Sequence, residues 1–562
     1  MRIKTLSCLM LAGMLSLSSC VEGDINDLQD QIDDLTSKVE NLELSQQEAL
    51  LAAIASLTTD LTTLESELGA LESDLVGDLE LLQQEVESNA NAVFYGNVIT
   101  DADYAALTEQ GATIITGRVV VASDAHVQAL ADVKLVGKSL EIMGGTTITM
   151  DALQSIGENL VVSGVHDDAT LSFSKLSSIG GDFEIMNNEG LTSIMADEVV
   201  LISGHLSSEK NTALATLSLA KLDQVNEVNL NEYYAEDPEY INIGALAVLD
   251  LSSTNVNGDV EIHYISTVEN LALGSVGGNL ICEYSDLSKI TFDGTSIGGD
   301  FKLENNRFIS AIDAPNLERI EGVLRIASNF DWNTPGSGLT TMPSFAALTY
   351  IGGNVSIASN SNLTNVEAFN NVTEVRGTDI EFSANGNLDN LNIFNALVDT
   401  ANPGSQWGDF SHANLNISAN TFWFTGFNSL VEAVNLNVTI AKTAGAFNEV
   451  TGQFDPGGDT AKFEGFNSLT DVSALDLTVT EVTEFNAFGA LNNFKHYQTY
   501  FTLRMPSDTN VGLCSMSSVL TKIKNGDFDS PWNADKKAVF YMNWSEQDRD
   551  TAIDQLLAPC GV

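Results

Sequence analysis

The sequence predicts a mainly β chain: a parallel β-solenoid, preceded by an α-helical coiled coil and closed by a small α-containing C-terminal cap. Three observations carry this. A short phrase returns at near-constant spacing through residues 156–382, a heptad of apolar residues runs through 25–86, and helix signals replace the phrase after Phe501. The expected domains are 1–19, a signal peptide; 20–92, an anchored N-terminus and stalk; 93–398, regular repeats; 399–500, longer irregular repeats; and 501–562, a disulfide-bonded cap.

The phrase is an apolar residue, two glycines and Asp or Asn, as in Ile179-Gly180-Gly181-Asp182-Phe183, Val276-Gly277-Gly278-Asn279-Leu280, Ile297-Gly298-Gly299-Asp300-Phe301 and Ile351-Gly352-Gly353-Asn354-Val355. Counting that apolar residue as zero, offsets four and six are apolar in most repeats: Leu160 and Val162, Phe183 and Ile185, Leu280 and Cys282, Leu324 and Ile326. Such alternation means a short strand with one face buried. Offset nine is Asn at 188, 211, 306, 329 and 360, with Asn385 fitting after one inserted residue; stacked, these amides would form a ladder that satisfies turn backbone. The twin glycines suit a bend that needs positive φ or close backbone approach. Cys282, at offset six, reads as a small buried hydrophobe. Two repeats depart: Ser208 stands at an apolar place, and Val228 and Leu230 are displaced. A looser phrase, Phe-x-x-Leu, begins at Phe345, Phe394, Phe427, Phe466 and Phe488 and extends the array.

This pattern resembles leucine-rich repeats, and the Ile-Gly-Gly lead-in resembles the receptor L-domain variant found in bacterial cell-surface lipoproteins. The resemblance covers about residues 93–398 and, more weakly, extends to Leu491. It implies surface display and binding.

The N-terminus supplies the address. Arg2 and Lys4 precede an apolar stretch at 6–17 that is short for a bilayer span, so it reads as a signal peptide. Leu17-Ser18-Ser19-Cys20 resembles the bacterial lipobox, which implies cleavage before Cys20 and lipid attachment to its thiol, with residence at the outer membrane and the cell surface; a plain secretory peptide is the alternative. A glyceride and an acyl chain together anchor stably. From Ile25 the apolar spacing alternates three and four through Ile32, Leu35, Val39, Leu42 and then Leu50, Ile54, Leu57, Leu61, Leu64, Leu68 and beyond. That seam predicts a coiled-coil stalk and a homo-oligomer, against the alternative of a helical hairpin.

At the other end, Ser517 and Ser518 precede one helical pattern, and Ser545 with Asp548 reads as a capping box before Ile553, Leu556 and Leu557. Cys514 and Cys560 are the cysteines left to pair in an exported chain, and a disulfide between them is expected.

Charge narrows the partners. With 77 acidic against 24 basic residues, a net charge of −53 argues against nucleic acid and against direct docking on anionic lipid. The six histidines, at 126, 166, 205, 263, 412 and 496, have no partner at metal-ligand spacing, and no nucleophile or phosphate-loop motif occurs. No cofactor, metal or catalytic residue is assigned, and the chain is read as a non-enzyme. The alternatives are a polysaccharide-active β-helix enzyme and a structural envelope spacer. Recognition of a protein or glycan is assigned to insertions that lengthen individual repeats, because insertions in such arrays map to loops. They carry Tyr233, Tyr234 and Tyr240, then Trp332, then Trp407. The acidic turn from Asp455 to Asp459 lacks the full spacing of a calcium loop, and ion binding there stays open.

Overall fold

The computed structural model describes residues 29–34, 51–66, 68–69, 92–166, 168–232, 245–251, 254–265, 268, 270–330, 334, 337–398, 400, 414–441, 447–448, 453–454, 460–479, 482–494, 500–505, 512–526, 538–542 and 545–561. They fall into two compact units, Met1–Phe94 with Gln110–Ala112, and Tyr95–Glu109 with Thr113–Val562. In the first unit, residues 29–34, 51–66 and 68–69 are helical. Ile32 and Leu61 of the apolar seam are buried, whereas Leu57 and Leu64 keep 44% and 53% of their surface exposed. The seam's remaining positions after Leu68, and those at 25–28 and 35–50, lie outside the described residues. No described helix is long and apolar enough to cross a membrane.

The second unit is mainly β, with parallel strands in its sheets. It opens with two helices the phrase did not announce, Asp101–Gln110 and Asp124–Ala129, the latter capped by Ser123 accepting from the His126 N–H. Regular repeats follow, most of them supplying three short strands. In the repeat starting at Ile179 they are Ser178–Ile179, Phe183–Met186 and Leu191–Met195. Each pairs with its counterpart one repeat before and after: Ile179 between Ile156 and Ile202, Phe183 between Leu160 and Leu206, Ile194 between Leu171 and Leu217. Inward residues therefore meet their own kind on every rung, and Phe183, Ile185, Ile194, Leu217, Leu280, Cys282, Phe301 and Leu324 are almost wholly buried. Full burial of such a large aliphatic or aromatic side chain stabilises by roughly 1.5–3 kcal/mol relative to exposure.

The register explains the irregular repeat at Val225. Its lead-in is one residue short, and a bulge between Ile202 and His205 in the strand Leu201–Glu209 absorbs the difference. Val228 and Leu230 thereby face inward opposite Leu206 and Ser208, and both are buried. Pairing also runs on past Phe501, where the repeats were expected to stop. Leu436, Leu475, Phe501 and Ala538 stand in successive register, and only then does Ala538–Met542 meet Ser545–Gln547 in antiparallel fashion.

Three side-chain ladders run along the stack. At offset nine, Asn188 Nδ2 donates to Asn211 Oδ1 at 2.8 Å, Asn306 to Asn329 at 3.2 Å, Asn329 to Asn360 at 3.2 Å and Asn360 to Asn385 at 3.1 Å. Each amide also reaches a strand carbonyl, such as Leu303 O from Asn329 at 2.9 Å. At the phrase itself, the Asp or Asn accepts from the next rung's backbone, as Asn159 Oδ1 does from the Asp182 N–H and Asn279 Oδ1 from the Asp300 N–H.

Of the two causes expected for the twin glycines, positive φ and close backbone approach, the structure shows the second. None of the phrase glycines has positive φ; the left-handed residues sit at offset eight instead and are not glycine, as in Asn187, Lys210, Asn305 and Ser328. A Cβ on Gly298 would lie 1.8 Å from Gly277 O, and one on Gly299 would lie 2.3 Å from Asn279 Oδ1. Close approach alone forbids a side chain.

The third ladder accounts for Phe-x-x-Leu. Phe345, Phe369, Phe394, Phe427, Phe466 and Phe488 all have φ between 47° and 61°, and their rings stack at 5.0–5.5 Å. Ring burial offsets a left-handed cost of about 1–2 kcal/mol per residue.

Near the C-terminus the helices are Ser517–Lys524 and Arg549–Leu557. The expected serine caps are corrected: the first helix continues a turn at Cys514–Met516 with no side-chain cap, and the second is capped by Asp548, which accepts from the Thr551 N–H at 3.0 Å. Ser545 lies in a strand. The Thr551 hydroxyl donates to the same carboxylate at 2.8 Å, and these two hydrogen bonds hold the Asp548 carboxyl below its usual range. Cys514 and Cys560 form a disulfide across 46 residues, a closure worth roughly 4 kcal/mol in the chain-entropy estimate.

Two substitutions test the stacking. Gly298→Ala, which forces backbone apart, is expected to destabilise by about 1–3 kcal/mol or more, and Asn329→Ala by about 3 kcal/mol through orphaned partners. Gly489→Ala, whose methyl would come no closer than 3.7 Å to a neighbour, is the control and should leave the urea midpoint unchanged.

Candidate binding surface

The corner between the second and third strands of each repeat is where the array admits extra chain. In register, Asn231, His263, Glu283, Glu304 and Ala327 occupy successive rungs. The corner residues just after them are Glu232, Tyr264, Tyr284, Asn305 and Ser328, so four steps of ~4.8 Å place Ser328 roughly 19 Å from Glu232. Residues 233–244 are inserted directly after Glu232. Residues 331–337 are inserted just past Ser328, and Gly338 rejoins there with φ of 81° and Asn329 O only 2.1 Å from where a Cβ would sit. A third insertion, at 442–459, follows Ala441 on the same corner further along, since Ala441 pairs with Asn420 and Asn420 with Asn387; it includes the antiparallel pair Phe447–Asn448 and Gln453–Phe454. The fourth, at 399–413, enters elsewhere, at the lead-in where Asn414 N donates to Thr378 O.

Tyr233, Tyr234, Tyr240, Trp332, Trp407, the 455–459 turn and Cys20 lie outside the described residues. What the structure does bring together is the stretch between the first two insertions. Tyr264 and Tyr284 both adopt left-handed φ, and their rings stack at 5.3 Å with planes 9° apart. Tyr284 is 40% exposed. Rings stacked on one another present edges and hydroxyls outward rather than faces. His263 Nδ1 stands 3.9 Å from Glu283 Oε2 beside them. The sequence signal was available: both tyrosines occupy offset eight, the residue before the Asn column.

Beneath this corner lies Glu232, a 2% exposed carboxylate that pattern reading missed. From the position before the Asn column, its carboxylate supplies the acceptor that the next ladder Asn would. Ser208 Oγ donates to its Oε1, and the Asn211 N–H donates to its Oε2 at 2.6 Å. The polar residue at offset six is thus explained as the partner of a buried acid one rung on. Desolvation raises the Glu232 pKa above its ordinary 4.5, opposed in part by those hydrogen bonds and reinforced by the Glu209 charge. The Asn ladder is interrupted over the next rungs, where Ile265 N donates to Ser285 Oγ and Ser285 N to Asn306 Oδ1.

Cys282 is fully buried, and burial pushes its thiol pKa up, so it packs opposite Ile262 and Leu303 as an unreactive hydrophobe. Among the described residues no group of three metal-ligating side chains converges. No protein-family model matches the chain, and no solved structure matches it.

Glu232 makes stability depend on pH with a definite sign. A carboxyl whose folded pKa is raised favours the folded state fully below its unfolded value and loses that contribution as pH rises through the folded value. Glu232→Gln should therefore flatten the fall in melting temperature between pH 4.5 and neutrality. Glu232→Ala should cost about 1–3 kcal/mol by stranding Ser208 and the Asn211 N–H, read from urea melts at several pH values.

Proposed function

We propose that this is a non-enzymatic, lipid-anchored surface protein of the bacterial outer membrane, in which a coiled-coil stalk displays a β-solenoid that binds a protein or glycan. The observation that carries the reading is the shared corner. Three insertions branch from one edge of a rigid parallel stack, and the first two flank a pair of stacked tyrosines. Rigid rungs bearing variable loops on one edge suit recognition, because the scaffold fixes loop positions without ordering cost at each encounter.

The resemblance to receptor L-domain repeats and to the lipobox at Cys20 supports the surface address. Leu57 and Leu64, exposed in the single chain, suit helix association in the stalk. The paired Cys514 and Cys560 and the helices around them suit a cap that covers the last rung. Catalysis is assigned to no residue.

The test uses the mature chain from Cys20, presented to whole cells, solubilised surface proteins and a glycan panel. Replacing residues 233–244 and 331–337 by the short turn of a neighbouring rung should abolish capture while leaving the melting temperature of the array in place. Capture that survives both deletions would contradict the corner assignment. Release of reducing or unsaturated ends from the glycans would contradict the non-enzymatic reading.

A further inference from the structure

Tyr264 and Tyr284 hold the same offset in adjacent repeats, with φ of 56° and 52°. The parallel register that sets His263 opposite Glu283 runs on through them: Tyr264 N donates to Glu283 O at 3.4 Å, and Tyr284 N to Glu304 O at 3.1 Å. Like backbone on rungs ~4.8 Å apart repeats one side-chain geometry. The two rings accordingly lie 5.3 Å apart between centroids with 9° between their planes, which brings the carbons beside the two phenol oxygens within a side-chain rotation of each other.

Other tyrosines are placed differently. Tyr95 is 56% exposed, Tyr104 stacks on His126 at 4.0 Å, and Tyr350 lies under the Arg319 guanidinium at 3.9 Å. Among the described residues no second pair of tyrosine rings stacks. Tyr284, at 40% exposure, gives a diffusing reagent access to the pair.

We infer that Tyr264 and Tyr284 form a site of oxidative cross-linking, joined as a dityrosine by a one-electron oxidant. Each phenol gives one electron to the oxidant and its hydroxyl proton to water, leaving a phenoxyl radical. The two radicals pair their electrons in a C–C bond between the carbons ortho to oxygen. The hydrogen on each of those carbons then moves to the neighbouring oxygen and restores both phenols. The pair loses two electrons and two protons in all, which reduce one hydrogen peroxide to two waters. Holding the partners together makes the coupling unimolecular, whereas a net charge of −53 on every copy opposes coupling between chains. The bond staples two rungs at the corner between the insertions at 233–244 and 331–337. It goes beyond the display function and holds whichever partner the insertions take.

The experiment treats the mature chain with hydrogen peroxide and a peroxidase, with N-acetyltyrosine in a parallel reaction, and then applies a glutamate-specific protease. Cleavage at Glu269 and Glu283 parts Tyr264 from Tyr284 unless they are joined. Mass spectrometry of the monomer band should find the two peptides linked and two hydrogens lighter than their sum, in roughly tenfold excess over any other tyrosine pair. Tyr264→Phe and Tyr284→Phe keep a ring to stack but cannot form the phenoxyl radical. Each should abolish the link with the melting temperature unchanged, while Tyr95→Phe should leave its yield as in the parent. Unfolding in urea should lower the yield to that of other pairs. Links spread evenly over the tyrosines, equal yield in urea, or no link between 264 and 284 while N-acetyltyrosine couples would overturn the inference.

Discussion

The β unit depends, throughout its described residues, on the backbone of one repeat lying in parallel register on the next. Once Phe183 must sit on Leu160 and under Leu206, every position sees its own equivalents at a spacing of ~4.8 Å. At that distance like residues either reinforce one another or clash. Amides reinforce, because each has a donor and an acceptor to pass along the column. Phenylalanine rings reinforce by stacking, well enough to hold six residues in left-handed backbone. At the phrase, a backbone carbonyl of one rung occupies the space a side chain would need on the first glycine of the next, the Asp or Asn does the same at second glycines such as Gly181, Gly278 and Gly299, and glycine follows from that.

The same constraint sets how much of the molecule was legible in the sequence. Period, strand offsets and the Asn column could be read directly, because a ladder demands the same residue type at the same offset. The glycines were recognised as corners but were open between two causes, and only geometry separates close approach from positive φ. Glu232 and Ser208 were not legible as a pair. They stand 24 residues apart and each looks like an isolated lapse, whereas across the rungs one supplies the hydrogen bond the other needs. The helix Asp101–Gln110 has weak amphipathic patterning, with only Tyr104 and Leu107 buried, and gave little periodic signal. Ser545 misled because a capping box is a local pattern that strand pairing at Ser545–Gln547 overrides, leaving Asp548 as the cap.

The proposed function rests on where the pattern is broken. Repetition makes a surface that is uniform along its axis and so discriminates poorly, while inserted loops and stacked tyrosines are local and distinct. Three of the insertions and the stacked tyrosines lie at one corner of the stack, and the fourth insertion enters at the lead-in. For the function proposed here, the strong acidity argues against polyanionic partners.

Native-state hydrogen exchange tests the central claim most directly, since the amide protons of Asn188, Asn306 and Asn329 each donate to the next rung's side-chain oxygen rather than to backbone. If stacked ladders hold the array, these protons exchange as slowly as those of the buried strand residues beside them, through openings that expose whole rungs. Exchange at the rate of free loop amides, with the strands still protected, would contradict the account.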